Sequence, residues 1–357
     1  MRLSVAKNIV KKAIMRQLEL AKDPTTDEHK FIIPYLQGMV GIGKTSVVKQ
    51  AAAELSQETG QKIYVNMVDL TLYDPAELAG LLMPNKENLE MDRHSPDWLF
   101  PKEFIEGGYD VMVYFFDEVP QSTKIIMNIF GQVIQGRRIG GHFLPTASAI
   151  VAAGNRQEDR AGTNPIPSQI KDRLAYLDIS LHSGDALSHM TAQGIHEAFV
   201  AFLGFKPERL HTFQPDVDKF TTPRGIEKAS DVYANWGLPP LELREMLNGI
   251  LGKSTTTEFF AFLDVYDVVP NIDDLIAKPM DAEIPDRADV TYAVCASLAA
   301  KANSKNIGNI IKYLDRLDAG EFAAFVIKGA LQNIPNYKSN TAIREWVISG
   351  GGKELLI

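Results

Sequence analysis

The residues Gly38-Met39-Val40-Gly41-Ile42-Gly43-Lys44-Thr45 fit the pattern G-x-x-x-x-G-K-[ST]. A loop of this kind makes a cradle for a polyphosphate. Its glycines let successive backbone N–H groups turn inward, and the helix that follows adds the positive end of its dipole. In that cradle, which runs on into Ser46, Lys44 reaches the β- and γ-phosphates and the Thr45 hydroxyl is a ligand of Mg²⁺. Phosphoryl transfer also needs a carboxylate for the metal and a group that polarises the attacking water. The apolar run 111–116 ends in Asp117-Glu118, which supplies both: Asp117 for the metal shell and Glu118 as the base. A third apolar run, 147–153, ends in Gly154-Asn155-Arg156, where the Asn155 amide can donate to the γ-phosphate or to the water.

These side chains need strands that end beside one another. The segment 31–36 reads as a buried strand, and Val47, Val48, Ala51, Ala52 and Leu55 recur at helical spacing, so the order is strand, glycine loop, helix. The run 111–116 has the continuous apolar character of a strand buried on both faces of a parallel sheet. Residues 125–133 read as a helix, and 136–145 as a hairpin with a glycine turn that projects from the sheet edge. The expected fold class is α/β.

A chain of 357 residues with 45% apolar content is long enough for two domains. No run approaches the roughly 20 apolar residues that span a bilayer, and no apolar leader is evident, so a cytoplasmic protein without a membrane span is expected. Cys295, the only cysteine, excludes an internal disulfide framework and thiolate-rich zinc sites, and reads as a core residue. A net charge of −8 argues against a surface built mainly for nucleic acid, although a local basic ring is compatible with it. Residues 1–22 carry Arg2, Lys7, Lys11, Lys12, Arg16 and Lys22 beside an apolar stripe of Ala6, Val10, Ile14 and Leu18. That pattern predicts an amphipathic helix with a solvated basic face.

Apolar sets at helical spacing, Ile195, Phe199, Phe202, Leu203 and Leu241, Leu243, Met246, Leu247, Leu251, predict helices, and an acidic, proline-containing stretch over 264–289 reads as a connector. The chain therefore divides into an α/β domain (1–180), a helical segment (181–279) and a helical C-terminal module (280–357). His182, His189 and His196 recur every seven residues, but glycines interrupt the stretch and no carboxylate completes a metal site. No H-E-x-x-H element or nucleophilic-serine elbow supports peptide or ester hydrolysis.

The Gly38–Thr45 loop, Phe116-Asp117-Glu118, Gly136-Arg137-Arg138-Ile139-Gly140 and the stretch from Ala152 through Asn155, Arg156 and Arg160 to Gly162 resemble the MoxR-type AAA+ ATPases. The resemblance runs on through Asp172-Arg173-Leu174, the 202–210 segment and Thr222-Pro223-Arg224, covering roughly residues 30–230. It implies a P-loop NTPase (AAA+) parallel sheet flanked by helices, then an all-helical lid and a helical C-terminal module. ATP and Mg²⁺ are the implied cofactors, in a homo-oligomeric ring, usually hexameric, with nucleotide between neighbours. Arg173 then matches the finger that enters the next subunit's site, with Leu174 in place of the usual aromatic residue, and Arg224 matches the second sensor on the lid. Such a finger contributes about 10³ to 10⁵ in turnover, so a lone monomer should be a poor ATPase.

Arg160 either serves across that interface or staples its own loop. The run 90–104, where this clade carries an insert, holds Trp98, Phe100 and Phe104, which either grip a client at the ring axis or seal the loop against the domain. The implied partner is a protein client, often one with a von Willebrand factor A-like domain. Two other readings stand beside this one. A nucleic-acid motor or McrB-like GTPase draws on Arg137, Arg138 and the basic first helix, but Asn85-Lys86-Glu87-Asn88 lacks the final Asp of the guanine-reading element. A non-cycling, ATP-switched scaffold is weakened by the complete set Lys44, Asp117, Glu118, Asn155 and Arg173.

Overall fold

The computed structural model describes residues 1–23, 25–84, 91–156, 162–214, 217–266, 270–317, 320–334 and 337–349. Arg160 and the Asn85-Lys86-Glu87-Asn88 element lie outside the described residues. The chain divides into two units, Met1–Leu181 and His182–Ile357.

In the first unit the apolar runs become strands: β1 (Ile33–Gln37), β2 (Ile63–Asp69), β5 (Val111–Asp117), β8 (Ser148–Gly154) and β9 (Leu174–Asp178). They form one sheet in the order β2-β5-β8-β1-β9, and every neighbouring pair is parallel. Two short antiparallel hairpins stand apart from it, β3 (Leu82–Pro84) with β4 (Met91–Arg93), and β6 (Arg138–Ile139) with β7 (His142–Phe143). The helices are α1 (Leu3–Leu20), α2 (Lys44–Thr59), α3 (Pro75–Ala79), α4 (Lys102–Glu106), α5 (Lys124–Gly136) and α6 (Ser168–Lys171). Helices sit on both faces of this parallel sheet, as a fold whose strands are apolar on both sides requires.

Successive residues of β5 point to opposite faces. Val113 and Phe115 join α1 and α2 through Ala6, Val10, Ile14, Val47, Val48, Ala51 and Leu55. Met112, Tyr114 and Phe116 join α3 and α5 through Leu78, Ile126, Met127, Phe130 and Val133. Ala6, Val10 and Ile14 of the expected stripe of α1 are buried and Leu18 is half-buried, Gln17 and Leu20 taking the buried places at that end, and the basic face is only partly solvated. Lys7 pairs with Glu54 of α2, and Lys11 reaches Glu58 at 2.7 Å and Glu54 at 3.5 Å.

Gln17 of α1 performs a task that its neighbours in sequence do not announce. In a parallel ladder the Ile150 carbonyl would accept from the N–H of residue 34, which is a proline and has none. The Gln17 amide takes that place: Nε2 donates to the Ile150 carbonyl at 2.8 Å and the Ile32 carbonyl at 3.1 Å, and Oε1 accepts from the Ile150 N–H at 2.8 Å.

The second unit is helical: α7 (Ser183–Ala192), α8 (Glu197–Phe205), α9 (Pro223–Asn235), α10 (Pro240–Leu251), α11 (Lys253–Tyr266), α12 (Ile272–Ala277), α13 (Ala288–Lys301), α14 (Ile307–Leu314), α15 (Gly320–Asn333) and α16 (Thr341–Ile348). Phe199 stacks on Phe259 with ring centroids 4.1 Å apart, and Phe202 and Phe262 extend the cluster. α8 packs on α13, α13 on α15 and α15 on α7, so helices from either side of position 279 share one body. Cys295 lies in its core, where burial pushes the thiol up to about 12. Among the described residues no helix is long and apolar enough to cross a membrane.

Candidate nucleotide site

Sheet order assembles the site. β8 lies between β1 and β5, so the residue that follows β8 sits between the loop after β1 and the carboxylates after β5. The register pairs Gln37 with Gly154 and Phe116 with Ala152, which brings Gly38, Asn155 and Asp117 to the carboxyl ends of three adjacent strands. Ligands of open α/β sheets bind at that edge.

Gly41 and Gly43 take positive φ values of 74° and 98°, a region that costs glycine little, and α2 begins directly at Lys44. A Cβ on Gly38 would lie 2.5 Å from Ile42 Cδ1 and 3.0 Å from the Ile179 carbonyl oxygen, so the loop is folded tightly over buried Ile42. Met39, Val40 and Gly41 continue the turn, and Ser46 is exposed on the first turn of α2.

Lys44 is buried and donates from Nζ to the carbonyls of Gly38 (2.9 Å) and Met39 (3.0 Å) and to Asn155 Oδ1 (2.7 Å). The other end of the Asn155 amide donates to Glu118 Oε2 at 3.3 Å. Thr45 Oγ1 donates to Asp117 Oδ2 at 3.2 Å, and Asp117 Oδ1 accepts from the Glu118 N–H at 2.9 Å. The five residues singled out from the motifs therefore form one connected network.

Burial raises the Asp117 carboxyl above its ordinary value and Asp69 adds to the rise. The Glu118 N–H, Lys44 and Thr45 act the other way. Glu118 is likewise raised, first by burial and then by the charge of Asp117. Glu118 also holds a left-handed backbone, φ 55° and ψ 33°, which is strained for a residue with a side chain.

These features suit a magnesium polyphosphate. The loop offers the N-terminal end of α2 and a buried ammonium for phosphate oxygens, and the neighbouring oxygens of Thr45 and Asp117 are hard donors of the kind Mg²⁺ takes. Among the described residues no cluster of His, Cys, Asp and Glu forms a separate metal site, and the three histidines at seven-residue spacing make none.

Two residues near the network carry no sequence signal. Tyr35 of β1 is fully buried, and burial, Tyr176, Glu118 and Asp117 all push its hydroxyl upward. Gly154 leaves room for it: a Cβ there would lie 2.6 Å from Tyr35 Oη and 2.2 Å from Pro120 Cδ.

The arginines divide. Arg156 is tied to the end of β9, to Asp178 at 2.7 Å and the Ile179 carbonyl at 2.9 Å. Arg173 follows α6 and donates to the Gln169 carbonyl, at the surface of the first unit, while Leu174 is buried as the first residue of β9. Arg224 is exposed in the first turn of α9, in the second unit. Arg137 is structural: Nη2 donates to the carbonyl and hydroxyl of Ser148 at 2.8 Å each, the guanidinium lies over the Phe31 ring, and burial pushes it down to about 10. That removes Arg137 from a nucleic-acid surface, leaving Arg138 exposed. In the 91–104 part of the insert, Trp98 and Leu99 are buried, with the Trp98 ring against Tyr114 and Phe116, so these residues seal the loop. Phe100 is exposed.

No protein-family model matches the chain, and no curated protein matches it. Among solved structures it is similar to a candidate ATPase from Cytophaga hutchinsonii, at 14% identity over 70% of this chain and 88% of that one, with a TM-score of 0.30. It is also similar to variants of RuvB from Thermotoga maritima. One aligns at 14% identity over 83% of each chain with a TM-score of 0.32, and another at 15% over 82% of each, also with 0.32. The reading of the site rests on its own geometry.

Proposed function

We propose that the protein is a magnesium-dependent ATPase of the AAA+ type, MoxR-like, that works as a homo-oligomeric, hexameric ring in the cytoplasm and remodels a protein partner. The observation that carries the catalytic part is the network in which one amide, that of Asn155, joins the phosphate-loop lysine to the general base. Lys44 and the loop N–H groups bind the β- and γ-phosphates. A Mg²⁺ held by Thr45 and Asp117 supplies charge neutralisation on the phosphate oxygens. Glu118 accepts the proton of the attacking water, and Asn155 orients the γ-phosphate. ATP and water leave as ADP and phosphate.

Arg173, at the surface, is the finger offered to the adjacent subunit. Arg224 is the second sensor of a lid spanning 181–279, and 280–357 forms the C-terminal module. A partner with a von Willebrand factor A-like domain follows from the MoxR resemblance. Glu118→Gln tests the core of this reading. It should keep ATP bound while turnover falls by about 100-fold or more, and unchanged turnover would remove Glu118 as the base. The retained ATP state is also the form with which to capture the client. If DNA or RNA stimulates hydrolysis with a steep salt dependence, the motor reading replaces the remodelling one.

A further inference from the structure

Directly after Glu118 the chain makes a tight turn, Val119–Gln121. Its backbone is pinned: the Glu118 carbonyl accepts from the N–H groups of Gln121 at 3.0 Å and Ser122 at 3.2 Å, and Asn164 reaches across to the carbonyls of Pro120 and Ser122. The strained backbone of Glu118 is thus fixed, and the freedom left to the base is rotation of its side chain.

Within this turn lies an unusual amide. Among the described residues Gln121 is the one side chain whose two amide atoms, Oε1 and Nε2, are both buried and without a hydrogen-bond partner. Such an arrangement is costly, because a buried donor left unmade forfeits its hydration with nothing in return. The amide stands beside the Glu118 carboxylate without a well-formed hydrogen bond to it, near enough to hold the carboxylate down against the rise that burial and Asp117 impose. Glu118 meanwhile is held from the opposite side by Asn155, whose other amide end is engaged by Lys44.

A γ-phosphate competes for Lys44 and Asn155 together, since both are its natural donors, and its arrival frees the Glu118 carboxylate. We propose that Gln121 is a positioning residue for the base: Nε2 donates to the Glu118 carboxylate once Asn155 has let go, holding it towards the attacking water. The inference rests on the ATPase reading above. In this arrangement Glu118 has two stations, an idle one on Asn155 and a working one on Gln121. The unmade hydrogen bonds of Gln121 belong to the idle one.

The test is Gln121→Met, which keeps the length of the side chain and removes both polar atoms. A residue that only filled space would lose stability or nothing when changed in this way. Here the variant should melt at the same temperature as the parent or higher, bind ADP and ATP with Mg²⁺ within about twofold of the parent, keep its KM, and lose about tenfold or more in kcat. Gln121→Leu, which likewise removes both polar atoms and adds no charge, should lose kcat in the same way and serves if the methionine chain does not fold. Parental kcat in either folded variant would overturn the proposal while leaving the ATPase reading intact. A fall in kcat accompanied by a matching fall in melting temperature would also overturn it. A parent chain that binds Mg-ATP without turning it over would sink the ATPase reading first, and this inference with it.

Discussion

The carboxylate of Asp117 is expensive to keep. Burial raises it against the help of Thr45, Lys44 and the Glu118 N–H, so the ionised form burdens the metal-free fold. A group whose folded pKa lies above its unfolded one favours the fold below the ordinary value of 3.8 and loses that contribution as pH rises through the raised value. Asp117→Asn should therefore raise the melting temperature of the metal-free protein near neutral pH and abolish its response to Mg²⁺. A variant that melts lower would contradict that account. At this scale much of the network was legible, because Lys44, Thr45, Asp117, Glu118 and Asn155 each stand at a motif position that defines their neighbours. Gln121 and Tyr35 were not, since a glutamine in a turn and a tyrosine in a strand are ordinary in sequence. Only the fold shows that the amide of one is buried without a well-formed hydrogen bond and that the hydroxyl of the other lies within electrostatic reach of Glu118.

Among the elements, β1, β5, β8 and the helix after the glycine loop could be read from uninterrupted apolar runs and helical spacing. The repair of the sheet could not. Gln17 follows Ile14 by three residues, just before Leu18, and looks like a surface residue until Pro34 is seen to leave a carbonyl of β8 unserved. Gln17→Leu leaves the buried N–H and C=O of Ile150 unpaired and should cost at least about 2 kcal/mol, measured by urea unfolding. A smaller loss would mean that water or a backbone shift takes over. The basic face of α1 was misleading for a related reason, because its acidic counterparts, Glu54 and Glu58, lie some forty residues away on α2.

In the second unit His196 caps α8 through a neutral ring nitrogen, Nδ1 accepting from the Ala198 N–H at 3.2 Å, and burial lowers its pKa. The cap's contribution is present above the ordinary value of 6.5 and declines as pH falls from there to the lowered folded value. His196→Asn keeps a capping oxygen, so its stability should be flatter across that interval. An identical pH profile would show that another group governs it.

For the whole molecule, the prediction concerns copies rather than residues. If Arg173 completes a neighbour's site, Arg173→Ala and Glu118→Gln chains should each be nearly inactive alone. Mixed, they should recover turnover at the interfaces where an intact arginine meets an intact base, as read by phosphate release against mixing ratio. Full activity of Arg173→Ala alone would remove the finger. The sequence disclosed the class of the first unit because three apolar runs each end in residues suited to a phosphate or a metal, whereas the order of the five strands came only from the fold. The second unit was harder to read. Helical spacing predicts helices, but the packing of α8 on α13 across position 279 depends on contacts distant in sequence.

Gly154 has a mechanical consequence. Because a Cβ there would strike both Pro120 and the Tyr35 hydroxyl, strand β8 and the turn bearing Glu118 touch without a gap. In the proposed ATPase, the part that would feel a triphosphate and the part that would cut it are meshed like two gears, and the missing methyl group is the clearance between their teeth.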